Sequence, residues 1–330
     1  MPDRKASKRN RSGARPSLKW WIASLALLMI TAVWAGIYFT RPRAAAEPAP
    51  TEVGEIPHIH GLAVDPFDST TLWIGSHGSL IRVTAGRWAR VGRQTFDMMG
   101  FNVHPSQANV LLTSGHPGQA DRRPNPLGVE ISRDGGQSWQ RLALTGAADF
   151  HAMTISRADP QKLYAWNVSG RIGLYRSRDG GRSWEYLGER GPGRVFYLTV
   201  HPSKGNVVFA GTDRGLLVSE DGGMTWRAHL SADVLNVPIT AVEFHPTNSE
   251  IAYAYAARSG LGLIRSMDGG KRWTPVGFFL GDRDAVGNLA LDPKDPQVVF
   301  LATFSSDLYR SGDGGRTREQ WVSAGKIVTR

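Results

Sequence analysis

Not one of the 330 residues is cysteine. A chain exported to an oxidising compartment would therefore hold no disulfide, and its stability has to come from a large apolar core, which residues 56–330 are long enough to build. A surplus of one charge sign is missing too, once the chain is divided. The net charge of +10 would ordinarily point to nucleic acid or an anionic surface. Residues 1–19 hold seven Lys/Arg against the single Asp3, and Arg41 and Arg43 add two more, so residues 44–330 carry 30 basic and 28 acidic side chains. That near-balance removes nucleic acid from the expected partners. Phosphate loops are absent as well, because no helical pattern follows the glycine runs around Gly170 and Gly260.

Long hydrophobic runs are scarce, and the one present is informative. Residues 20–40 form a stretch of 21 without a charge. As a helix it spans roughly 30 Å, the thickness of a bilayer's hydrocarbon layer. The basic block before it places residues 1–19 in the cytoplasm, while Trp20, Trp21, Trp34 and Tyr38 suit the interfaces. The expectation is a single-pass signal-anchor in the cell membrane, with the rest of the chain extracytoplasmic. A cleaved secretory signal ending at Ala44-Ala45-Ala46 is the alternative. Residues 41–55, rich in Ala and Pro, read as a linker.

What the chain has in abundance is repetition. A small polar residue, Asp-Gly-Gly, two further residues and Trp recur at Asp134, Asp179, Asp221 and Asp268, and a fifth copy at Asp313 has Arg318 in place of the Trp. The aspartates are 45, 42, 47 and 45 positions apart. Such a period marks one four-stranded unit repeated in a ring. A second mark, a hydrophobic strand ending in Asp-Pro or His-Pro, occurs six times, at Pro66, Pro105, Pro160, Pro202, Pro246 and Pro293. The chain is expected to be all-β, a propeller of six blades over residues 56–330, with seven blades as the alternative. In the fifth unit the strands are expected at residues 239–244, 251–256, 262–266 and 273–276. The five box aspartates read as turn residues, their carboxylates accepting turn amides, and not as active-site acids.

These phrases resemble the Asp-box, or bacterial neuraminidase repeat, of the sialidase/sortilin-like superfamily, whose members include sialidases, sortilin-type receptors, xyloglucan hydrolases and photosystem assembly factors. Residues 56–330 also resemble a bacterial group of membrane-linked Asp-box propellers named glycosyl hydrolases. The resemblance implies the fold; its hosts include both enzymes and binding proteins.

Strand alternation sorts residues between the two faces of the disc. The start of each innermost strand shares face one with the loop between the second and third strands, whereas the Pro turns and the boxes share face two. Counting five residues back from the Asp-Pro or His-Pro gives His60, Met99, Phe196, Thr240 and Gly287; the third blade carries a short insertion, and its matching phrase places His151 there. His58, Asp97 and Asp149 stand two residues before His60, Met99 and His151. The second-to-third-strand loops add His77, His116 and Asp213. Five of the nine histidines are thus expected on face one. A metal site of His58, His60, Met99, His116 and His151 follows, with copper ahead of zinc for imidazole plus thioether, and zinc or iron for imidazole plus carboxylate. The plain alternative makes these histidines partners of buried amides and Met98, Met99 and Met153 core filler. Residues 118–125 read as a solvated insertion on the same face.

Three functions remain open. The first is a face-one ligand or partner site, glycan or protein. The second is a glycoside hydrolase using Asp97 and Asp149, since that chemistry needs two carboxyl groups about 5 to 10 Å apart; no arginine triad of the sialidase kind is present. The third is an assembly factor for a membrane protein.

Overall fold

The computed structural model describes residues 53–188, 192–229, 231 and 234–328. The basic tail, the expected anchor at 20–40 and nearly all of the linker lie outside the described residues. Within them no helix is long and apolar enough to cross a membrane.

Six antiparallel sheets follow one another along the chain, each built from four consecutive strands, and the sixth adds a short fifth strand, Lys326–Ile327. The innermost strands are Ile59–Val64, Phe96–Val103, Phe150–Ile155, Val195–Val200, Ile239–Phe244 and Val286–Leu291. Each borders the next and the sixth borders the first, so the ring closes with six blades. The seven-blade alternative is excluded. Where the ring closes, Ile56 N–H donates to Gly325 O at 2.7 Å and Glu55 bridges Lys326, clipping the start of the ring to the outer hairpin of blade six.

The apolar side chains explain why the blades stack. Six hydrophobic clusters each take residues from two neighbouring blades, as where Trp73 and Leu80 of blade one meet Phe96 and Trp139 of blade two. The cluster joining Ile74 and Ile81 to Phe300 and Leu308 closes the circle. Strands two and three are apolar on both faces because each faces a neighbouring blade, for example Ala252–Ala256 and Gly262–Ser266, buried throughout. The fifth blade follows its expected strands, with the second and fourth starting one residue later, at Ala252 and Thr274. Blade one lacks the Asp-Gly-Gly turn and uses a two-residue hairpin instead, Ala85 and Gly86 both at positive φ (49° and 76°).

All five box aspartates do the same work. Asp179 Oδ1 accepts from Ser177 Oγ at 2.8 Å and Ser183 N–H at 2.9 Å, and Oδ2 accepts from Ser183 Oγ. Ser177 Oγ in turn accepts from Gly181 N–H at 2.9 Å. The same pattern recurs at Asp134, Asp221, Asp268 and Asp313. Hydrogen bonds from the residue four positions on hold Asp179, Asp221, Asp268 and Asp313 down at about 2. The boxes are structural. In the fifth, the missing Trp is replaced by the Arg318 guanidinium, 4.0 Å from the Phe278 ring centre.

The interchange of His and Asp before proline has an equally local cause. Asp65 Oδ1 accepts from Phe67 N–H at 2.9 Å, Asp292 Oδ1 from Lys294 N–H at 2.8 Å. His104, His201 and His245 use Nδ1 for the amide two residues on, at 3.2–3.3 Å. These face-two histidines are turn acceptors, as the residue spacing implies.

Candidate functional site

Each innermost strand is interrupted near its start by an unpaired residue. Its register with the second strand slips between Ile59 and Gly61, Val195 and Tyr197, Ile239 and Ala241, and Val286 and Asn288. In blade three Phe150 and Ala152 pair while His151 does not, and in blade two the slip falls between Met99 and Asn102. A bulge re-aims the side chain it expels. The expelled residues His60, Phe196, Thr240 and Gly287 are the ones found by counting five back from the proline turns, and His151 is the one placed by its matching phrase in the blade with the insertion. The count locates the channel mouth; the bulge that creates it is not visible in sequence.

Around one sector of that mouth the structure assembles two clusters. His60 Nε2 lies 3.3 Å from Asp97 Oδ1, and His77 Nδ1 lies 3.3 Å from Asp97 Oδ2. His116 Nε2 and His151 Nε2 approach Asp149 Oδ2 at 3.4 and 3.2 Å. In each cluster, ligand-type atoms of all three residues fall within 4.8 Å of one another. The clusters alternate across blades: His77 reaches from blade one to Asp97 of blade two, and His116 from blade two to Asp149 of blade three. Asp97 and His116 are themselves cross-strand partners, so one hairpin serves both clusters. Burial pushes the His60 ring below the ordinary 6.5, with Asp97 pulling the other way.

Not every expected residue joins. His58 stacks on His60 with ring centres 6.1 Å apart and stands outside both triads; its backbone, at φ 47°, receives the His77 amide. Met99 and Met153 border the cavity, Met153 from within an apolar cluster, and Met98 is buried in another. The triad donor sets are therefore imidazole and carboxylate, without the thioether that favoured copper. Asp213 lies apart in an exposed turn, its amide bonded to Arg194 O. The insertion at 118–125 is more than a solvated loop: Asn125 Oδ1 lies 2.8 Å from His116 Nδ1, and Arg123 binds both Asp121 and the buried Glu130. No sequence signal marks Asn125, because eight residues, nearly all of them irregular chain, separate it from the histidine it holds.

The remaining sectors of the mouth are different. A cavity of about 310 Å³ is bordered on one side by His60 and His151 and on the other by Arg194, Phe196, Gly287 and Phe304. Phe304 comes from the second-to-third-strand loop of blade six, and a side-chain carbon on Gly287 would stand 2.9 Å from its ring. Glycine at the bulge thus makes room for a phenyl ring that remains 56% exposed. The Arg194 guanidinium lies 5.3 Å from the Phe196 ring centre and has no ion pair among the described residues.

The BNR/Asp-box repeat pattern matches residues 130–141, the box around Asp134. The chain is a six-bladed β-propeller that carries the Asp-box repeat. A xyloglucanase of Hypocrea jecorina is 30% identical over 145 residues, covering 38% of this chain and 17% of that protein. Among solved structures, a GH74 enzyme of Niastella koreensis superposes with a TM-score of 0.59 at 16% identity, over 83% of the propeller chain and 47% of the other. The GH74 xyloglucanase of Xanthomonas campestris gives 0.57 at 20% identity, over 83% and 46%. The chain spans less than half the length of these hydrolases. YCF48 bound to a D1 peptide gives 0.51 at 19% identity, over 86% and 89%. At these identities the likeness is one of fold.

Proposed function

We propose that this propeller binds a carbohydrate at the face-one mouth of its central channel. The observation that carries the reading is the two-sided cavity, with Phe196 and Phe304 facing His60 and His151 across about 310 Å³. A sugar ring has an apolar face that can lie on a phenyl ring and an equatorial belt of hydroxyls that needs polar partners, and pockets of this kind pair an apolar wall with a few placed polar groups. The xyloglucan-acting relatives support the ligand class. With residues 20–40 as an anchor, the mouth would work outside the cytoplasm.

Titration calorimetry against xyloglucan and other oligosaccharides tests the reading. Saturable binding is expected, weakened at least tenfold by Phe304→Ala or Phe196→Ala while the melting temperature stays within a few degrees. Absence of binding across the panel, or binding indifferent to both changes, would overturn it. Capture of a protein partner by both variants would favour an assembly role instead.

Hydrolysis is the second reading, favoured by the xyloglucanase similarity. Asp97 and Asp149 stand on neighbouring blades and would share acid and base duties. Release of reducing sugar that Asp97→Asn abolishes would establish it; an inactive wild type that still binds sugar would leave binding alone.

A further inference from the structure

We infer that the mouth holds two divalent transition-metal sites of the zinc class, one formed by His60, His77 and Asp97 and the other by His116, Asp149 and His151. This goes beyond the carbohydrate reading and does not depend on it. Two imidazoles and one carboxylate, with nitrogen and oxygen atoms already gathered within 4.8 Å, form the three-ligand set that binds zinc or iron while leaving coordination positions open.

The decisive detail is at His116. The Asn125 Oδ1 atom can only accept, so His116 Nδ1 carries the hydrogen of the 2.8 Å contact between them. In the neutral ring the lone pair then lies on Nε2, pointed at Asp149 Oδ2 from 3.4 Å. A lone pair facing a carboxylate oxygen is repulsive unless a cation lies between them, either a second ring proton or a metal ion. An outer-shell oxygen that fixes the ring's tautomer is also the usual support of a metal-bound histidine. His151 Nε2 aims at the same oxygen from 3.2 Å, completing the set.

A second observation comes from the carboxylates. Oδ1 of Asp149 and Oδ1 of Asp97 are both shielded from solvent; the first accepts no hydrogen bond among the described residues, and the second has only the His60 ring nitrogen, at 3.3 Å and outside hydrogen-bond geometry. Buried carboxylate oxygens without partners are costly, and an ion is one of the few things that relieves them. Both carboxylates thus keep an under-satisfied oxygen beside two imidazoles. The face-two histidines make the contrast: each spends Nδ1 on a turn amide, and none of them belongs to a three-ligand group among the described residues.

The test is equilibrium dialysis of the full-length chain, stripped with EDTA, against zinc chloride, with metal counted by plasma mass spectrometry. About two equivalents are expected. His77→Ala and His151→Ala should each remove one and the double variant both, while Asn125→Ala should keep two sites but weaken one by about 10- to 100-fold. Circular dichroism of each variant confirms the fold. No zinc bound by the wild type, or a stoichiometry unchanged in the folded histidine variants, would overturn the inference. A chain that binds zinc but no saccharide keeps these sites and loses the carbohydrate reading, and the converse separates them equally.

Discussion

At the level of single residues, the second glycine of four of the five boxes, at Gly136, Gly181, Gly223 and Gly315, shows how closely the blades approach. Gly223 sits at φ 87°, and a side-chain carbon there would stand 2.5 Å from Leu174 of the preceding blade. Gly223→Ala is expected to cost about 2 kcal/mol or more, combining left-handed strain with overpacking; a denaturation midpoint within error of wild type would contradict this. The paired glycines were readable in sequence as turn formers. The demand that the second one touch the preceding blade was not, because Leu174 lies 49 residues away. The same limit applies at the mouth. His60, His151, Asp97 and Asp149 could be placed on one rim by counting from the prolines, since strand alternation is a local rule. Their division into two triads, with His77 included and His58 and Met99 outside, depends on side-chain directions set by bulges and by neighbouring blades.

The proline turns illustrate the next scale. A His or an Asp serves each turn as an amide acceptor, so the element asks for a lone pair at the right place and not for a particular residue. His201→Asp should therefore keep the fold with a stability change within about 1 kcal/mol, whereas His201→Leu should lose more by leaving the Ser203 amide unpaired. Loss of the fold in the Asp variant would disprove the equivalence. Burial lowers His60, His104, His201, His229 and His245 below 6.5. As pH falls through that value, the unfolded chain takes up protons that the folded chain refuses, so stability declines on the acid side. Glu243 works in the opposite sense. It lines the channel, half-buried, and is pushed up to about 7 by burial while Arg157 pulls it down, so between 4.5 and 7 acid favours the fold there. Five histidines outweigh one glutamate, and calorimetry should give a lower melting temperature at pH 5.5 than at pH 7.5. A higher one would mean that Glu243 dominates.

For the whole molecule, the architecture was the most legible part because a period of about 45 residues can be read without any contact being known. Six blades in a ring leave no interface without a partner, and the cluster between blades one and six is built like the other five. Deleting blade six, residues 286–328, would expose two apolar faces at once. Such a fragment is expected to aggregate or to stay unfolded in size-exclusion chromatography, and a folded monomer would contradict the ring's cooperativity. A closed disc also explains how function is distributed, with face two spent on boxes and proline turns while face one is free to collect chemistry at the mouth. Histidine-ring NMR during titration with a xyloglucan oligosaccharide tests that division most directly. The resonances of His60, His77, His116 and His151 should move while those of His104, His201 and His245 stay in place. Shifts confined to the face-two histidines, or none in any ring, would contradict the assignment of face one as the working surface.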